Sequence, residues 1–226
     1  MQPHSLPGFH EPFSAISHLA GAAICAALAV PLLRRARGSK LRVGVLAVFA
    51  VCSVFLLAMS GVFHMLPVGG EARAVLGRLD KAAIFALIAG THTPVQGLFF
   101  RGWARWSPLL AMWLLAAAGI TLFSVFHDDL PRGLGTSIYL LLGWIAGTAG
   151  LIVWRRNGFR EVRLLVLGGV AYSLGALLLA IDAPTLIPGV IGAHELWHVA
   201  VLSALAMHWV YLYRRAAGTR AVPVRD

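Results

Sequence analysis

The chain has 226 residues, of which 59% are hydrophobic and 12% charged. A soluble domain carries about 25% charged residues, so this composition excludes an ordinary water-soluble protein. Nineteen Lys and Arg against nine Asp and Glu give a formal charge of +10. The basic residues stand in short clusters between apolar runs, a pattern that fits membrane topology and anionic headgroups rather than nucleic acid.

Mean hydropathy is +0.79. Several apolar runs reach the roughly 20 residues needed to cross a hydrocarbon core about 30 Å thick. Backbone in lipid must satisfy its own hydrogen bonds, so these runs are expected to be helices. Seven spans are predicted, and the fold class is an all-α polytopic bundle occupying residues 1–226 as one membrane domain.

The first span is expected at 13–33 and ends at the cluster Arg34, Arg35, Arg37, Lys40, Arg42. No Lys or Arg precedes it, and it exceeds a signal h-region, so it is read as a retained span. The second is placed at 43–66, closed by Pro67 and Gly69-Gly70. The third is placed at 80–100 and carries Pro94, where a kink is expected, with Thr91 or Thr93 satisfying freed carbonyls. The fourth covers 107–126, before the polar turn His127-Asp128-Asp129. The fifth covers 134–154 and is followed by Arg155, Arg156, Arg160 and Arg163. The sixth covers 164–181, and the seventh covers 190–213 before Arg214-Arg215. Trp103, Trp106, Trp154, Trp209, Tyr211 and Tyr213 fall near span ends and suit an interfacial aromatic belt. Cys25 and Cys52 lie inside apolar runs and read as small buried hydrophobes.

With seven spans the termini lie on opposite sides. One side receives most of the Arg clusters and the C-terminal tail. The other receives Arg73, Arg78, Lys81 and Arg132. The positive-inside rule therefore predicts a cytoplasmic C-terminus.

Ionisable groups inside a membrane mark functional sites by default. His64 at the end of span two, Asp80 at the start of span three, and His194 and His198 at the start of span seven fall at one depth, on the Arg-poor side. His194 and His198 are four residues apart, so one helical face presents both rings, a chelating geometry. His64 is a candidate third ligand. Three His around Zn²⁺ leave a fourth position for water, the arrangement of catalytic rather than structural zinc. Asp80 is a candidate to steer that water or orient a His. Ser60 shares the face of His64. The plainer alternatives are a packing serine and a helix-start acid that favours the dipole.

His194-Glu195-Leu196-Trp197-His198 also matches HExxH, the zinc-protease motif in which Glu is the general base. Downstream of His198 the only acid is Asp226, so no later carboxylate can complete a protease site. Glu11, His18, His92 and His208 read first as hydrogen-bonded interior residues, with the lining of a polar cavity as the alternative. His4, His10 and His127 read as loop residues.

Taken in order, these motifs resemble the haemolysin III family, related to the progestin and adipoQ (adiponectin) receptors. The resemblance covers nearly the whole chain. It is carried by Glu11 with Ser17-His18-Leu19-Ala20-Gly21, by the SxxxH of Ser60 and His64, by Leu79-Asp80 leading to Ile88-Ala89-Gly90-Thr91-His92-Thr93-Pro94, and by the HxxxH of His194 and His198. It implies seven helices and a Zn²⁺ held by His64, His194 and His198, with Asp80 reaching the metal through water and Ser60 nearby. The wider superfamily includes alkaline ceramidases, which implies hydrolysis of a lipid amide. His92 stands where the family often has Tyr. The adiponectin receptors place their zinc toward the cytoplasm, whereas the charge count here predicts the reverse.

Three functions are therefore expected to compete. The first is a zinc-dependent hydrolase of a lipid amide or ester, the second a sensor or regulator of membrane state with structural zinc, and the third a cytolytic protein. Membrane lipids are the expected partners in each.

Overall fold

The computed structural model describes residues 5–126, 130–131 and 133–218. Seven helices follow one another: α1 Pro12–Ala36, α2 Lys40–Met65, α3 Glu71–Phe99, α4 Trp103–Val125, α5 Leu134–Asn157, α6 Phe159–Ile181 and α7 Ala193–Arg215. All seven are long and apolar enough to cross a membrane. The expected turn His127-Asp128-Asp129, with His4, Arg132 and Asp226, lies outside the described residues.

The helix ends follow local chemistry. Ser39 caps α2 by accepting from the Arg42 N–H. Gly158 has φ +85° and lets the chain leave α5 and enter α6 without a loop. Hence α6 starts at Phe159 rather than 164, and its first turn holds Glu161, whose carboxylate accepts from Arg215 Nε of α7 at 2.7 Å. The largest departure is α3, which begins at Glu71 rather than 80. Glu71 favours the positive helix start, and Arg73 is drawn inward by partners on α2 and at the N-terminus.

Helix α3 runs unbroken through Pro94. The Thr93 hydroxyl donates to the Ala89 carbonyl at 2.8 Å and accepts from Trp113 Nε1 of α4 at 3.0 Å. This ties α4 to the helix at its proline.

Neighbours in sequence are neighbours in space: α1 packs on α2, α2 on α3, α3 on α4, and α6 on α7, while α5 lies against α3 and α6 and α1 closes toward α7. The core includes Phe49, Leu46, Leu57, Leu205 and Leu212. Between helices in lipid the fit comes from small residues and dispersion rather than from exclusion of water. A Cβ at Gly90 would stand 2.7 Å from Cys52 Cβ, so α2 and α3 approach at a bare backbone. Cys52 and Cys25 are both buried and unbridged, as expected.

The aromatic expectation needs correcting at two positions. Trp103, Trp106, Trp154 and Tyr213 are exposed, as an interfacial belt requires. Trp209 and Tyr211 are 5% and 1% exposed and belong to the core. Trp209 packs on Phe49, with ring centroids 5.1 Å apart. Proximity to a span end does not tell which way a residue of α7 faces.

Candidate metal centre

Antiparallel succession brings the end of α2, the start of α3 and the start of α7 to the Arg-poor end of the bundle. His64, in the last turn of α2, is 2% exposed, and so is His198, in the second turn of α7. His194 Nε2 lies 3.3 Å from His64 Nε2 and 3.1 Å from His198 Nε2. The candidate ligand atoms all fall within 4.8 Å of one another. Nitrogens at about 2.0–2.1 Å from a tetrahedral Zn²⁺ stand roughly 3.3 Å apart. The triad therefore fits such an ion in both donor chemistry and spacing.

Each ring is held differently. His64 Nδ1 contacts the Glu11 carboxylate. The other Glu11 oxygen accepts from Arg73 Nη2 at 2.6 Å. Burial by itself would raise the Glu11 carboxyl. The contacts with His64 and Arg73 outweigh it and hold the group at about 2. His198 stacks on His18 of α1, with centroids 3.9 Å apart and planes at 25°. His18 is 3% exposed, and neither of its ring nitrogens has a partner among the described residues.

Asp80 and Ser60 meet beside the triad. Ser60 of α2 and Asp80 of α3 face the same space. Both line a cavity of about 810 Å³ together with His18, His194 and His198. The cavity runs between α3, α5, α6 and α7 past mostly apolar walls to His92 and His208. His208 lies about 20 Å from His194 along α7, given a rise of 1.5 Å per residue. His92 and His208 are buried at 5% and 6% exposure and also face this space. His208 Nε2 stands 3.2 Å from the Leu165 carbonyl.

Glu195, the acid of the HExxH match, is occupied elsewhere. One of its oxygens accepts from the Gly192 N–H at 2.9 Å and the other from Ser14 Oγ at 3.2 Å. It caps its own helix and ties it to α1, which is not the role of a protease base. Glu11 is hydrogen-bonded, as the favoured reading had it, and its partners are His64 and Arg73. The residue that sequence reasoning missed is Arg73, which stood only as one of four basic residues on its side. Its signal was weak, because the partner is 62 positions away.

Seven apolar helices, with a His triad of which His64 and His198 are buried, define a multi-pass membrane protein with a candidate metal centre near one end. The family model for haemolysin-III related proteins matches residues 9–209, and the chain belongs to that family. It is 29% identical over 196 residues to hemolysin-3 of Bacillus cereus, covering 86% of each chain. It is 30% identical over 159 residues to a hemolysin-3 homolog of Bacillus subtilis, covering 70% of this chain and 71% of that one. It is also similar to the human monocyte to macrophage differentiation factor, at 28% identity over 175 residues, or 76% of this chain and 68% of the relative.

Proposed function

We propose that this protein is a zinc-dependent hydrolase of the cell membrane that cleaves an amide or ester bond of a lipid. The observation that carries this reading is the placement of the Ser60–Asp80 pair beside His194 and His198 at one end of a long cavity with mostly apolar walls. A Zn²⁺ on His64, His194 and His198 would polarise the scissile carbonyl and lower the pKa of a water toward about 7.

The chain's own groups divide the remaining work. Asp80 accepts the proton of the attacking water and returns it to the leaving nitrogen or oxygen as the carbonyl–heteroatom bond breaks. Ser60 fixes the orientation of that carboxylate. The apolar walls, with Leu56, Leu87 and Val201 among them, accept lipid chains. The positive-inside count supports a cytoplasmic C-terminus, with this site toward the opposite side.

Replacing Asp80 by Ala is expected to lower hydrolysis of a long-chain amide or ester by about 10²–10⁴-fold, with zinc still bound. Zinc content of the purified protein is measured beside the rate. A zinc-replete wild type inactive on every such lipid overturns the enzyme reading.

One observation favours a second reading. The triad joins α2 to α7, so a bound metal would staple two helices far apart in sequence. As a purely structural element it would leave Asp80 dispensable, and loss of zinc would lower the melting temperature without touching any reaction.

A further inference from the structure

Glu11, Ser14 and His18 are spaced by three and then four positions at the start of α1, so they share one side of the helix. Glu11 and His18 each touch a member of the triad, and Ser14 touches the residue beside the third. Glu11 contacts His64. Ser14 donates to Glu195, the neighbour of His194, at 3.2 Å. His18 stacks on His198 at 3.9 Å. Nothing in a membrane anchor demands this. A lipid-facing helix start would carry apolar groups at those positions, whereas Ser14 and His18 are 0% and 3% exposed.

We propose that this face of α1 is the outer shell of the metal centre, and that Glu11 is a positioning residue that commits His64 Nε2 to the metal. The proposal rests on the zinc reading above. A neutral imidazole has one N–H and one lone pair, and the partner of one nitrogen decides which is which. A carboxylate only accepts, so His64 Nδ1, which faces Glu11, carries the hydrogen. The lone pair is then on Nε2, the atom 3.3 Å from His194 Nε2.

The carboxylate is itself immobilised. Arg73 of α3 donates to its second oxygen at 2.6 Å. The same guanidinium donates to the Leu66 and Phe63 carbonyls and lies 4.6 Å above the Phe63 ring. The backbone adds register, because the Glu11 N–H donates to the His64 carbonyl at 3.0 Å and the His10 N–H to the Met65 carbonyl at 3.1 Å. The N-terminal segment is thus zipped to the end of α2, and Glu11 has one place to go. His198 Nδ1 has no such acceptor among the described residues, and there the stacked His18 ring sets the plane instead.

The test uses the full chain in lipid nanodiscs, titrated with zinc against a chromophoric chelator and loaded separately with cobalt(II). Glu11→Ala is expected to weaken zinc binding by about 10–100-fold, the usual loss when a ligand's outer partner is removed. Glu11→Gln, which keeps an acceptor oxygen, should recover part of that loss. The visible cobalt spectrum should change in Glu11→Ala. It should be unaltered in Glu161→Ala, which breaks the comparable pair with Arg215 far from the site. His18→Phe should hold zinc better than His18→Ala, because it keeps a ring against His198. A role in folding alone predicts that Glu11→Ala and Glu161→Ala both lower the melting temperature while zinc affinity stays at the wild-type value. That result, or a Glu11→Gln that binds zinc no better than Glu11→Ala, overturns the proposal. A wild type that binds no zinc overturns both this proposal and the metal reading, whereas equal binding by wild type and Glu11→Ala overturns this one alone.

Discussion

An imidazole inside a bilayer is a costly group, and it stays there only where its nitrogens or its ring face find partners. His64, His194 and His198 were legible as a set because a four-residue spacing and a common depth needed only helical geometry. Their surroundings were not legible. Arg73 reads as a loop-side cation until the start of α3 is known. Two predictions belong at this scale. His194→Ala is expected to purify without the metal carried by the wild type, as read by elemental analysis. Ser60→Ala removes the hydroxyl proposed to orient Asp80. Hydrogen bonds to charged groups contribute about 1.5–3 kcal/mol, so hydrolysis should fall roughly 10–100-fold while zinc content stays constant.

Helices carry the next level of control. Hydropathy located all seven, since about 20 apolar residues in lipid leave the backbone no other solution. It misplaced the starts of α3 and α6, because their first turns are polar and amphipathic and are recruited by tertiary contacts, those of Arg73 and of Glu161 with Arg215. Pro94 stands inside a continuous α3, and Thr93 beside it links the helix to Trp113. The Gly90–Cys52 approach is one of the close points of the α2–α3 seam. Gly90→Val should overpack it and lower stability by about 1–3 kcal/mol, seen as an earlier thermal transition in detergent. The two kinds of tryptophan should also separate. Trp209→Ala opens a core cavity worth about 3–5 kcal/mol, whereas Trp103→Ala, 74% exposed, should leave the melting temperature nearly unchanged.

For the molecule as a whole, charge and apolarity act in different directions. The outward faces are rich in exposed Leu, Ile, Val and Trp, as a lipid-facing surface requires. Arg clusters at one end of the bundle set the expected orientation. Single cysteines introduced at Ala217 and at Val68, in a background with Cys25 and Cys52 replaced, should show protection of position 217 from an impermeant thiol reagent in intact cells and labelling of position 68. The opposite pattern would invert the proposed orientation and leave the His triad as described. The cavity joins the scales, because it begins at the His-bearing helix ends and continues between helices for most of the membrane depth.

The division between sequence and structure follows from range. Apolar run length, positive-charge bias and the i, i+4 pair of His194 and His198 are local properties, so the chain by itself determined a seven-helix membrane bundle and named its candidate ligands. Which carboxylate grips His64, which ring supports His198, and where a lipid-sized space opens depend on contacts between residues 53 to 181 positions apart. Such contacts exist only once α1, α2, α3 and α7 are packed, and tertiary structure alone decided them.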